Sequence, residues 1–193
     1  MTNGFICKKQ KEAALVLQKA GIALRNDEIE NIEICDYELG RYDEIGTAIV
    51  IYANTERCCA KEMILGPHQL CPEHRHPPLP EYQYPGKEET FRCRWGIVYL
   101  YVEGEPVENP VFQPPEDKQG TFTVFHEIVL HPGGQYTLKP NTRHWFAAGS
   151  EGAIISEFST PSYDLRDIFT DPEIIRVSNL DSEGRAKKQE GAL

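Results

Sequence analysis

The sequence predicts a mainly β fold, an antiparallel sandwich or barrel entered through an N-terminal helical stretch. Three observations predict it. From Gly46 onward, runs rich in β-branched and aromatic residues recur at short spacing. Gly, Pro and Asn punctuate those runs, and no helical crossover separates them. Before Gly46 the apolar residues follow a helical period instead.

Ala13, Val16, Leu17 and Ala20 keep the i, i+3, i+4, i+7 spacing of an amphipathic helix, and Gly21 is its stop. A second helix is expected over 27–36, with Asn26 as cap and Ile29 and Ile32 on its apolar face. Strands are expected over 47–52, 61–65, 90–103, 122–130, 135–138, 145–147 and 153–159, with Pro132-Gly133-Gly134 as a turn. Pro-containing polar loops fill 76–86 and 105–120, and the charged tail from Leu180 is expected to fray. No repeat or linker divides the chain. A single domain over 1–193 is expected: a helical extension over 1–45, a β-barrel over 46–160 and a C-terminal segment over 161–193.

Composition narrows the function. The chain has 193 residues and a formal net charge of −10, so a phosphate-backbone partner is disfavoured and nucleic acid is not expected. No apolar run approaches the roughly 20 residues that span a bilayer, and residues 1–10 lack a secretory apolar stretch. A cytoplasmic location, without a membrane partner, is the expectation. The six cysteines do not read as a disulfide framework, since no Cys-x-x-Cys pair occurs; Cys58, Cys59 and Cys93, in apolar or strand-like runs, read mainly as small buried hydrophobes, and burial is also expected for Cys71.

The most informative segment is Cys71-Pro72-Glu73-His74-Arg75-His76. Histidines one residue apart on an extended chain send both imidazoles to one side. Lys87-Glu88-Glu89 runs into a strongly β-patterned segment, and His144 opens another. His74, His76, Glu89 and His144 together form a three-nitrogen, one-oxygen set, which suits a divalent Mn, Fe, Co, Ni or Zn ion. Regular strand geometry from Glu89 points Phe91 and Cys93 inward, with Arg92 and Arg94 on the other face.

Gly66 ahead of the histidine pair, Gly96 after Glu89, and Pro140-Asn141-Thr142-Arg143-His144 together resemble the two motifs of the cupin superfamily. The gap between His76 and Glu89 is longer than in that motif, and the second motif lacks its glycine. The resemblance implies a double-stranded β-helix barrel with the metal held inside by His74, His76, Glu89 and His144. A narrower resemblance rests on several stretches: Cys71 through Pro78; Glu89-Thr90-Phe91-Arg92-Cys93-Arg94; Pro132-Gly133-Gly134-Gln135-Tyr136-Thr137; and Asp167-Ile168-Phe169-Thr170-Asp171-Pro172. With Lys61-Glu62 and His126-Glu127-Ile128, these look like the D-lyxose isomerase family. That resemblance implies interconversion of D-lyxose with D-xylulose, often of D-mannose with D-fructose, one Mn2+ per subunit and a homodimer.

The chemistry is consistent with such a reaction. Moving a proton between C1 and C2 needs a cation to stabilise the enediolate and a base near the carbon-bound proton. Glu157 is the expected base, because Ile154, Ile155 and Phe158 around it would strip water from its carboxylate. Lys61 is the second catalytic candidate, able to polarise a substrate oxygen or return a proton; that role rests on the resemblance. Whether Glu73, His126, Glu127 or Asp167 contacts substrate is left open. Three other readings stay in view: a phosphosugar isomerase using Arg92, Arg94 and Arg143, a non-haem iron dioxygenase, and a sugar-binding protein without catalysis.

Overall fold

The computed structural model describes residues 1–176, so the tail expected to fray from Leu180 lies outside the described residues. Helix α1, Asn3–Lys19, begins at Thr2, whose side chain accepts from the Phe5 N–H. It ends as expected at Gly21, where φ is +76° and the Gly21 and Ile22 amides return to the carbonyls of Gln18 and Leu17. Ala13 and Leu17 face inward and pack with Ile32, Ile34, Ala48, Val50, Ile64 and Ile154.

The second helix departs from expectation. Helix α2 spans only Asn26–Glu30, with Arg25 rather than Asn26 as cap. Strand β1, Glu33–Cys35, comes directly after it and pairs antiparallel with β2, Thr47–Asn54. Ile29 and Ile32 suit a helical face by spacing, but burial of Ile32 and Ile34 beneath α1 and pairing of Glu33–Cys35 with β2 favour the extended form.

The remaining elements are β3 (Cys59–Leu65), β4 (Leu70–Arg75), β5 (Glu89–Val102), β6 (His126–Leu130), β7 (Gln135–Leu138), β8 (His144–Ser159) and β9 (Ile168–Phe169). The mainly β barrel expected from the sequence is found. Its spine is the long antiparallel ribbon of β5 and β8, paired from Glu89↔Ser159 to Val102↔His144 with register shifts between Cys93 and Trp95 and between Gly96 and Val98. One half of the ribbon carries β3, β2 and β1 on one edge and β7 on the other. The other half carries β4 and β9 on one edge and β6 on the other. The sheet curls round so that the two halves enclose one core.

Two glycines permit the bend between the halves. Gly96 and Gly152 have φ of +74° and +82°, and a Cβ on Gly96 would lie 2.0 Å from the Gly152 carbonyl oxygen. The segments 145–147 and 153–159, expected as separate strands, are therefore one strand folded across both halves. The strand expected over 122–130 begins only at His126. Residues 122–125 run unpaired, while Phe122 and Val124 are buried in the core and the Trp145 indole donates to the Val124 carbonyl at 2.7 Å. Tyr101 stacks on Trp145 at 4.0 Å and fills this half of the barrel.

Candidate metal and active site

Adjacent strands bring the histidines together. His74 on β4 sits opposite His144 on β8, and the ladder irregularity between Cys71 and His74 turns the end of β4 toward the interior. The three imidazoles of His74, His76 and His144 are buried, with ligand-capable atoms all within 4.8 Å of one another. Glu89, at the start of β5, brings Oε1 to 3.1 Å from His76 Nε2 and 3.3 Å from His144 Nε2.

The outer nitrogens of these rings are all occupied. His74 Nδ1 pairs with the Pro72 carbonyl at 2.9 Å, His144 Nδ1 with the Thr142 carbonyl at 3.0 Å, and His76 Nδ1 with Asp167 Oδ1 at 2.5 Å. A carbonyl only accepts, so Nδ1 of His74 and His144 carries the proton and, in the neutral ring, Nε2 presents a bare lone pair inward. His76 Nε2, His144 Nε2 and Glu89 Oε1 are buried, and among the described residues none has a partner in hydrogen-bond geometry. Converging acceptors of this kind repel one another unless a cation lies between them. Ligands bound at roughly 2.1 Å stand about 3.0–3.4 Å apart around one ion, and Glu89 Oε1 keeps that spacing from His76 Nε2 and His144 Nε2, while the imidazole donors lie within 4.8 Å of one another. The residues present therefore fit a divalent metal.

In the ion-free site, electrostatics keep His74 and His144 in the neutral, ligating form and favour a proton on His76 that a bound cation would displace. Burial, reinforced by the other imidazoles, holds His74 well below the usual histidine range, and burial takes His144 down to about 4. Burial also works against a charged His76, but the Asp167 and Glu89 carboxylates outweigh it and raise that ring to about 10. Glu89 remains ionised despite burial, because Lys87 and His76 hold it well below the usual carboxylate range.

His74, His76, Lys87, Glu89 and Asp167 line a narrow cavity. Its walls carry Lys61, Lys87 and Arg176 against four carboxylates, Glu89, Glu157, Asp164 and Asp167, so a cation bound beside a neutral His76 would meet a negative surplus. Glu157 lies on β8 between Lys61 of β3 and Phe91 of β5, and is 2% exposed. It is not alone among apolar neighbours: Lys87 Nζ stands 2.6 Å from its Oε1, Ser159 Oγ donates to it at 3.1 Å, and Lys61 Nζ is 3.9 Å away. Lys61 itself donates to Asp164 at 2.7 Å and to Ser162 at 3.0 Å.

The structure brings together all six residues singled out in the sequence: His74, His76, Glu89, His144, Glu157 and Lys61. Sequence reasoning missed Lys87, and the signal was available. Two positions before Glu89 on an extended chain, Lys87 must face the same side. Asp164 and Tyr37 were also missed, since they arrive from loops with no periodicity.

Of the residues left open, only Asp167 lines the cavity. Glu73 is pinned elsewhere, accepting from Thr123, Val124 and Thr170. Glu127 accepts from Tyr101 and the Val111 amide, and His126 pairs with the Glu105 carbonyl; both secure the 105–120 loop. Arg92 and Arg143 bond Gln135 and Thr123, Arg94 is exposed, and none of the three reaches the cavity. Among the described residues, no helix is long and apolar enough to cross a membrane.

No family model matches the chain. Curated relatives do. The D-lyxose ketol-isomerase of Thermofilum sp. (strain ex4484_79) is 53% identical over 180 residues, covering 93% of this chain and 99% of the relative. The D-lyxose/D-mannose isomerase of Thermosediminibacter oceani is 55% identical over 172 residues, 89% of this chain and 94% of that one. Among solved structures, the L-ribose isomerase of Acinetobacter sp. DL28 in complex with L-ribose superposes with a TM-score of 0.72 at 15% identity, over 90% of this chain and 94% of that one. The ligand-free L-ribose isomerase of Cellulomonas parahominis gives 0.71 at 15%, over 92% and 96%. At such identity the likeness speaks for the fold alone.

Proposed function

Because the chain belongs to the D-lyxose ketol-isomerase family, we propose that it is a metal-dependent aldose–ketose isomerase. Its substrates are D-lyxose with D-xylulose, and D-mannose with D-fructose. The observation that carries the metal dependence is the convergence of partnerless His76 Nε2, His144 Nε2 and Glu89 Oε1 beside His74.

His74, His76, Glu89 and His144 would hold the ion, with Mn2+ the favoured occupant and Fe2+, Co2+, Ni2+ or Zn2+ accommodated by the same donors. When bound, a divalent cation supplies electrostatic stabilisation of the negative charge that develops on the sugar oxygens. The chain's own groups do the rest. Glu157 takes the proton from C2 and delivers it to C1, while the O2 hydroxyl proton passes to O1. Lys87, shared between Glu157 and Glu89, keeps the base beside the ligand set. Lys61 is held well above the usual lysine range by Asp164 and Glu157 against the effect of burial. It therefore acts as a hydrogen-bond donor to a substrate oxygen. Asp167 fixes the His76 ring through its Nδ1.

The reading extends to a single domain over the whole chain, in which residues 161–176 return across the site, and to a homodimer. A cytoplasmic location agrees with six free thiols. The test is turnover of D-lyxose by metal-stripped protein. Activity lost to EDTA and restored by Mn2+ is the expected result; inactivity on every free pentose and hexose with any of these metals would contradict the reading.

A further inference from the structure

The cavity has a second polar group of residues that the isomerisation itself does not use. Tyr37 is buried, and its hydroxyl meets Thr47 Oγ1 at 3.2 Å and Cys71 Sγ at 3.1 Å. All three residues line the same cavity as the histidines, among the apolar walls of Ile49, Met63, Phe146 and Phe169. Tyr37 and Glu38 both hold left-handed backbone, with φ of 58° and 59°, a costly conformation for side chains of this size. The turn is kept by the Glu38 amide donating to Asp36 Oδ1 and by the Ile175 amide donating to the Tyr37 carbonyl. The Tyr37 ring packs edge-on against Phe169, which in turn stacks on His74.

Register places this group at the far end from the base. Ile51 lies opposite Lys61, which lies opposite Glu157. Thr47 is four residues further along β2, roughly 13 Å at about 3.3 Å per residue. A sugar whose C1 and C2 lie between Glu157 and the imidazoles therefore extends its remaining carbons toward Tyr37 and Thr47.

Resting on the isomerase reading above, we infer that Tyr37 and Thr47 form the subsite for the terminal hydroxymethyl group of the sugar and set the preference between five- and six-carbon aldoses. D-lyxose and D-mannose share their configuration from C2 to C4 and differ only beyond C4. A six-carbon chain reaches one carbon further, so its last hydroxyl has the most to gain from two hydroxyl groups that, among the described residues, bond each other and a thiol.

The experiment measures kcat/KM for D-lyxose and D-mannose on the Mn2+-loaded full chain, with Thr47→Val, Thr47→Ser and Tyr37→Phe. Loss of one neutral hydrogen bond corresponds to about 3- to 10-fold. The expected result is a D-mannose to D-lyxose ratio lowered by that factor in Thr47→Val and Tyr37→Phe, and restored in Thr47→Ser. A general packing defect would lower both sugars equally, and such a parallel fall, or an unchanged ratio, overturns the inference. Wild-type protein inactive on both sugars would instead overturn the isomerase reading on which the inference rests.

Discussion

Lys87 Nζ stands 2.6 Å from Glu157 Oε1, and both side chains are about 3% exposed. The same ammonium is 2.9 Å from Glu89 Oε2, so one cation ties the proposed base to the proposed ligand set. Glu157 and Glu89 together raise Lys87 well above the usual lysine range against the effect of burial. Replacing Lys87 with Met leaves two buried carboxylates facing each other. The variant is expected to lose about 3–5 kcal/mol of stability in the metal-free form, read from urea unfolding. Its kcat/KM should fall by at least about 100-fold while metal is retained. A variant as active as the wild type would remove Lys87 from the mechanism.

Metal content separates ligands from their supports. His74→Ala and Glu89→Ala should come through gel filtration without metal. Asp167→Asn, which loses only the carboxylate charge behind His76, should still bind but about 10- to 100-fold more weakly. Elemental analysis and competition with a chelator give both numbers. Full occupancy in His74→Ala would refute the ligand assignment.

Acid stability should depend on Asp164. Burial opposes its charge, but Lys61 at 2.7 Å, with Lys87 and Arg176, holds it well below the usual range of an aspartate. Its folded pKa is depressed, so the unfolded chain binds the proton more readily. The stabilisation is complete above about pH 5 and lost as pH falls through the region below about 4. Melting temperature measured from pH 7 to pH 2 should fall less steeply in Asp164→Asn than in the wild type. Parallel curves would contradict this.

The thiols should divide by burial. Desolvation pushes Cys35 and Cys71 up to about 12, and Cys59 and Cys93 up to about 11, while Cys7 and Cys58 are exposed. A thiol-specific chromogenic reagent at neutral pH should titrate two groups in the folded protein and six after denaturation. Rapid reaction of Cys71 in the folded state would show that the cavity wall opens.

Much of the site was legible in the sequence, for physical reasons. The histidine pair, Glu89 and His144 stand out because ligand chemistry restricts residue type and strand geometry restricts spacing. The inward run of Phe91 and Cys93 came from parity alone and is found, with Arg94 on the exposed face. What escaped depended on distant partners. Glu33–Cys35 is too short for its own period and becomes a strand only through β2. Gly152 reads locally as a break, yet it carries β8 round a corner because Gly96 passes beside it. Glu73, next to a ligand in sequence, proved to be a hydrogen-bond anchor for residues 123, 124 and 170. The loops that deliver Asp164 and Tyr37 carry no periodicity to read.

The central claim is that Glu157 moves a proton at C2 of a sugar beside the metal site. The most direct measurement tracks solvent deuterium at C2 of D-lyxose, by NMR, in Mn2+-loaded wild type and Glu157→Gln. Exchange and turnover are expected in the wild type, and both should fall by about 100-fold or more in a Gln variant of the same metal content. Exchange in Glu157→Gln within about tenfold of the wild type would contradict that claim.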